Sequence, residues 1–164
     1  MNKDFANLHD AGVQLVEILE KEPIAVIAIV GQGAEIAIEI AKKFRVPVIA
    51  LVLQRDPATN EIISVEVPQF SSEGLHYVVD DAIETGHTTT HVFQALQRNG
   101  YQHLQLAVPV SPRDTESQLL PITGPITAVV RPMVRRSLSW HYDQVPETPQ
   151  DQALALIAMH NATL

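Results

Sequence analysis

Residues 77–90, Tyr-Val-Val-Asp-Asp-Ala-Ile-Glu-Thr-Gly-His-Thr-Thr-Thr, constrain this chain more than any other stretch. A short apolar run ends in two adjacent carboxylates, Asp80 and Asp81, and a small polar loop then opens a helix. Apolar residues that give way to charge mark a buried strand arriving at the surface. The turn after it offers hydroxyls from Thr85, Thr88 and Thr89, a Gly86 that lets backbone N–H groups close around a ligand, and the positive end of the helix. Together these make a phosphate cradle. Two acids beside such a cradle make sense when the ligand also carries hydroxyls or a divalent cation. A phosphorylated sugar diol bound with Mg²⁺ satisfies both halves.

Around this stretch, strands and helices alternate. Residues 5–20 read as an amphipathic helix, with Phe5, Leu8, Leu15, Ile18 and Leu19 near one face and Asp4 as its N-cap. Pro23 breaks it, and 24–30 is a continuous apolar strand of the kind buried on both faces. Gly31-Gln32-Gly33 turns the chain into a helix over 34–44. A second apolar strand covers 47–53, turn chemistry fills 55–60, and 61–67 alternates like an exposed strand, so a hairpin is expected. Beyond the central stretch come a helix over 87–98 closed by Asn99-Gly100, a strand over 103–110, a short helix over 114–120, a strand over 126–130 and a final helix over 149–161. This order predicts an α/β fold with a doubly wound, mostly parallel sheet, spanning 1–164 as a single domain. Ligands of such sheets bind beyond the C-terminal strand ends, where Gly31 and Asp80 both fall.

Composition narrows the partners. A net charge of −8 argues against nucleic acid and against anionic membrane, because neutralising phosphates needs a basic face. The chain has no cysteine, which removes disulfide and thiolate chemistry. The start, Met-Asn-Lys-Asp-Phe, lacks the apolar core of a signal peptide, and the longest apolar run is too short to span a bilayer. A cytoplasmic location is expected. His87 and His91 stand four residues apart, a spacing that can chelate a metal, but no third ligand of suitable spacing accompanies them. His87 reads better as a phosphate donor.

The run apolar–apolar–Asp–Asp–three residues–Thr–Gly–x–Thr, here 78–88, resembles the phosphoribosyl-pyrophosphate (PRPP) motif of type I phosphoribosyltransferases. Phe5 followed by Asp10-Ala11-Gly12 is similar to the start of small bacterial members of that family. The resemblance implies that Asp80 and Asp81 hold the ribose hydroxyls, with Mg²⁺ as cofactor arriving with PRPP and possible contacts to the same two acids. It implies that Glu84, Thr85, Gly86, His87, Thr88 and Thr89 wrap the 5′-phosphate. The loop with Gln32 and Gly33 matches the family's pyrophosphate loop, where an Arg or Lys ordinarily precedes the glycine; Gln32 lacks that charge. Arg55, the one cation of the hairpin, is a candidate for a closing contact or an ordinary surface residue. Residues 131–142 would form a small C-terminal hood over the base pocket, with Trp140 and Tyr142 either stacking on a base or packing in the core.

The implied reaction transfers the phosphoribosyl group of PRPP to a nitrogen nucleophile, such as a nucleobase, with release of pyrophosphate. Glu84 is the acid/base candidate, or else a carboxylate that orders the loop. Val110-Ser111-Pro112 stands where purine-salvage members carry a Lys, so the acceptor stays open. A PRPP-binding regulatory protein without catalysis is the alternative, and a homodimer is the family expectation. A phospho-acceptor receiver domain is set aside: the first strand ends in Gly31 rather than an Asp, and the last strands carry no Lys.

Overall fold

The computed structural model describes residues 3–164. Six strands form one sheet: β1 (Ala25–Ile29), β2 (Val48–Arg55), β3 (Ile62–Glu66), β4 (His76–Val79), β5 (Leu104–Val110) and β6 (Thr127–Val130), in the order β3-β2-β1-β4-β5-β6. All neighbouring pairs are parallel except β2–β3, the expected hairpin, which is antiparallel.

The apolar strands serve two cores at once. Along β1, Ala25, Ile27 and Ile29 face one layer, and Val26 and Ala28 the other. Tyr77 and Val79 of β4 point to one side and Val78 to the opposite one. This is the period-2 alternation of a strand with no solvated face, and it explains why β1 carries no polar residue. Helices α1 (Leu8–Ile18), α2 (Gly33–Phe44) and α6 (Gln150–Asn161) cover the first face. The other is covered by α3 (His87–Arg98) and α4 (Arg113–Thr123) through Val92, Phe93, Leu96 and Leu119. A single turn, α5 (Leu138–His141), lies in the segment expected to form a hood.

The N-terminal expectation needs correction. The first helix runs over Leu8–Ile18 rather than 5–20, and its N-cap is Asn7, whose side chain accepts the Asp10 N–H at 2.9 Å. Asp4 instead accepts from or pairs with His141 Nδ1 at 2.8 Å. Phe5 is fully buried and bridges in parallel to Tyr142, with ring centroids 5.2 Å apart. A short β-bridge to a distant segment thus competes successfully with one more helical turn, because it buries an aromatic ring. No helix among the described residues is long and apolar enough to cross a membrane.

Candidate active site

Strand order decides where the site falls. From β1 the chain passes to β2 on one side, while β4 pairs on the other side of β1. The loops after β1 and β4 therefore leave the sheet in opposite directions and open a crevice between them. Register fixes their proximity, since Ala28, the next-to-last residue of β1, stands opposite Val79, the last of β4. The crevice holds a cleft of about 430 Å³, lined on one side by Gly31 and Gln32 and on the other by Asp80, Asp81, Glu84, Thr85, Gly86, Thr88 and Thr89.

The β4–α3 loop is shaped from within. Gly86 has φ +88°, a left-handed conformation that favours glycine, and its carbonyl accepts from the Thr90 hydroxyl at 2.8 Å. The Thr85 hydroxyl accepts from the His87 N–H at 3.4 Å. From α4, the Thr115 hydroxyl donates to the Glu84 carbonyl at 3.2 Å and holds the loop from behind. Asp80 Oδ1 accepts the Asp81 N–H at 2.9 Å. Helix α3 begins at His87, so its unpaired N–H groups lie at the cleft end of the loop.

Electrostatically, the acidic pair is set apart. Among the described residues no Lys or Arg forms an ion pair with Asp80 or Asp81. Burial, and then the neighbouring Asp81 charge, push the Asp80 carboxyl well above the usual carboxylate range. Asp81 is 9% exposed, and burial raises it to about 6. Two desolvated carboxylates without a counter-charge call for a ligand that brings hydroxyl donors or positive charge. Hard carboxylate oxygens suit Mg²⁺, and a ligand phosphate would complete its shell. No group of three or more His, Asp or Glu among the described residues is gathered closely enough to hold a metal unaided.

Of the residues singled out from the sequence, the structure gathers Gln32, Arg55, Asp80, Asp81, Glu84, Thr85, Gly86, Thr88 and Thr89 around one cleft. Arg55 leaves the end of β2 and donates from Nη2 to the Thr88 hydroxyl at 3.1 Å and from Nη1 to the Asn60 carbonyl at 3.0 Å. It is the one cation lining the cleft among the described residues. Four of the expected residues stand outside the cleft lining. Gly33 does not line the cleft: it is the contact between α2 and β4, where a Cβ would stand 2.6 Å from the Val79 carbonyl oxygen. His87 is exposed on α3 outside the cleft, and its carbonyl accepts from or faces His91 Nδ1 at 2.8 Å along the helix. Of the two expectations for Tyr142 the structure shows core packing: it is fully buried against Phe5, and its hydroxyl donates to the Asp81 carbonyl at 2.9 Å. Trp140 is 58% exposed, stands outside the cleft and stacks on the Arg136 guanidinium at 4.7 Å.

Two lining residues with polar side chains, Thr148 and Gln150, escaped the sequence reading. Thr148 lies between Pro146 and Pro149, where the chain returns to the sheet face, and Gln150 is the first residue of α6. The prolines signal a break, but nothing local places that break over the loop after β1.

No protein-family model matches the chain, and no curated protein matches it in sequence. Solved structures match it in shape. The protein TT1426 from Thermus thermophilus superposes with a TM-score of 0.76 at 14% identity, over 94% of this chain and 98% of that one. A purine phosphoribosyltransferase from Pyrococcus horikoshii gives 0.63 at 18% identity, over 91% and 97%. An orotate phosphoribosyltransferase from Aeropyrum pernix gives 0.57 at 22% identity, over 73% and 68%. The chain has the type I phosphoribosyltransferase fold.

Proposed function

We propose that this protein is a phosphoribosyltransferase that moves the 5-phosphoribosyl group of PRPP to a nitrogen nucleophile and releases pyrophosphate. The observation that carries the reading is the meeting of the β1 and β4 loops in one cleft, with a half-buried Asp80 and a buried Asp81 beside a hydroxyl-rich helix start. Asp80 and Asp81 accept hydrogen bonds from the ribose 2′- and 3′-hydroxyls. The amides and hydroxyls of residues 84–89 take the 5′-phosphate, aided by the positive end of α3. Mg²⁺, when bound with PRPP, supplies positive charge to the departing pyrophosphate.

In the transfer, the bond from ribose C1 to the pyrophosphate oxygen breaks with both electrons going to oxygen, and the nucleophile's lone pair forms the new C1–N bond. Glu84 lines the cleft with an exposed carboxylate and takes the proton that the nitrogen loses. Arg55 ties the β2 end to Thr88, which keeps the hairpin over the ligand and limits attack by water on the oxocarbenium-like centre. The domain acts as one unit over 1–164.

One observation favours a second reading, a PRPP-binding regulator without catalysis: the Gln32 carboxamide is neutral and bonded to protein backbone. Calorimetric titration with PRPP, with and without Mg²⁺, tests both. Saturable binding strengthened by Mg²⁺ is expected, followed by pyrophosphate release when an acceptor base is supplied. Binding with no release across a panel of bases and ammonia selects the regulator, and no binding at millimolar PRPP refutes both.

A further inference from the structure

The segment between α5 and α6 has no role in the reading above, yet it lies directly on the loop after β1. Gln32 Nε2 donates to the Pro146 carbonyl at 3.1 Å, and Gln32 Oε1 accepts the Thr148 N–H at 2.9 Å. The Thr148 hydroxyl donates to Glu35 Oε1 at 3.4 Å. The Thr148 carbonyl oxygen packs where a side chain on Gly31 would begin, so backbone meets backbone there. Thr148 and Gln150 share the cleft wall with Gly31 and Gln32.

We infer that Gln32 is a positioning residue for the leaving-group half of the cleft: it clamps residues 146–148 so that Thr148 and Gln150 form a neutral, hydrogen-bonding wall for the pyrophosphate end of PRPP. The inference rests on the phosphoribosyl reading. Its physical basis is the carboxamide itself. A carbonyl and an N–H two residues apart need one donor and one acceptor from the same planar group, which Gln provides. Lys and Arg are donors only; either could hold the Pro146 carbonyl, but neither could accept from the Thr148 amide. A charged residue at position 32 would therefore exchange the clamp for a direct contact with the leaving group. In this chain the wall is uncharged, and Arg55 is the protein cation left to face the ligand among the described residues.

The test compares wild type, Gln32→Ala and Thr148→Val in calorimetric titrations with ribose 5-phosphate, with Mg²⁺-pyrophosphate and with Mg²⁺-PRPP. Hydrogen exchange at residues 146–148 is read alongside. Ribose 5-phosphate uses only the 80–89 loop and so reports whether each variant is folded. For Gln32→Ala the expected result is faster exchange at the Thr148 amide and roughly tenfold weaker pyrophosphate and PRPP binding, with ribose 5-phosphate within twofold. The Thr148 hydroxyl bond to Glu35 is long at 3.4 Å and can be exchanged for one to a ligand oxygen. Thr148→Val removes that donor but keeps the backbone clamp, so exchange stays slow while pyrophosphate binding weakens. Weaker pyrophosphate binding in Gln32→Ala without faster exchange would mean that the side chain touches the ligand itself and would overturn the clamp. Unchanged pyrophosphate affinity in both variants overturns the wall. A wild-type protein that binds neither ribose 5-phosphate nor PRPP refutes the phosphoribosyl reading and this inference with it.

Discussion

Replacing Asp81 with Asn should make the ligand-free protein more stable while crippling its site. Asp81 titrates near 6 in the fold against an ordinary value of 3.8, and burial is the main cause. Below the unfolded value both states hold the proton. As pH rises from about 4 to 6 the unfolded chain releases it first, so the folded state binds more protons and stability falls. Above the folded value both states are ionised and the penalty is constant. A gap of about two units at ~1.4 kcal/mol each gives roughly 3 kcal/mol of destabilisation at pH 7.5. Asn cannot ionise, so Asp81→Asn removes that penalty and also relieves Asp80, which the Asp81 charge raises. At roughly 2–4 °C per kcal/mol for a chain of this size, the variant should melt about 6–12 °C higher at pH 7.5. At pH 3.5 the two proteins should be equally stable. The assay is urea denaturation across pH 3.5–8 with a chelator present. A wild-type stability that is flat between pH 4 and 6, or a variant no more stable at pH 7.5, would refute the reasoning. The same substitution should weaken PRPP binding by roughly 10- to 100-fold, the cost of losing a charged acceptor for a ribose hydroxyl. A residue that harms the fold and serves the ligand is the pattern of a functional site.

Three further outcomes are expected. Binding of PRPP with Mg²⁺ near pH 6.5 should release protons, because hydroxyl donors and positive charge pull both acids back toward ordinary values; the calorimetric enthalpy should then vary with the ionisation enthalpy of the buffer, and identical enthalpies in phosphate and Tris would contradict this. Glu84→Gln should lower kcat by about 10²- to 10⁴-fold with little change in KM for PRPP, whereas a rise in KM at constant kcat would assign Glu84 to loop ordering instead. Gly33→Ala should destabilise the fold by roughly 1–3 kcal/mol, since its Cβ would stand 2.6 Å from the Val79 carbonyl oxygen; an unchanged melting temperature would show that α2 can shift away from β4.

What the sequence alone determined is local and periodic. Continuous apolar runs bounded by turn residues read as strands covered on both sides and the alternating run 61–67 as an exposed one, and each of the six expected strands is present within two or three residues of its expected bounds. The acidic pair, the glycine turn and the threonines declared a cradle, because strand end, loop and helix start are contiguous in the chain. Arg55 could be named because it was the sole cation of its hairpin, but its bond to Thr88 joins residues that sequence pattern does not connect.

Tertiary structure decided the rest, for one physical reason: a buried aromatic or a clamp is defined by its partner, and the partner lies far along the chain. Tyr142 looked available for a base until Phe5, 137 positions away, covered it and the Asp81 carbonyl took its hydroxyl. Trp140, two residues earlier, was left in solvent beside Arg136. Asp4 fitted a helix cap by spacing, yet His141 held it instead. Gln32 read as a missing charge, and only the return of residues 146–148 over the β1 loop revealed what its donor and acceptor hold. Hydrophobic periodicity fixes which face of an element is buried; which distant segment buries it is settled by packing, where small differences in aromatic burial and hydrogen-bond satisfaction select one arrangement.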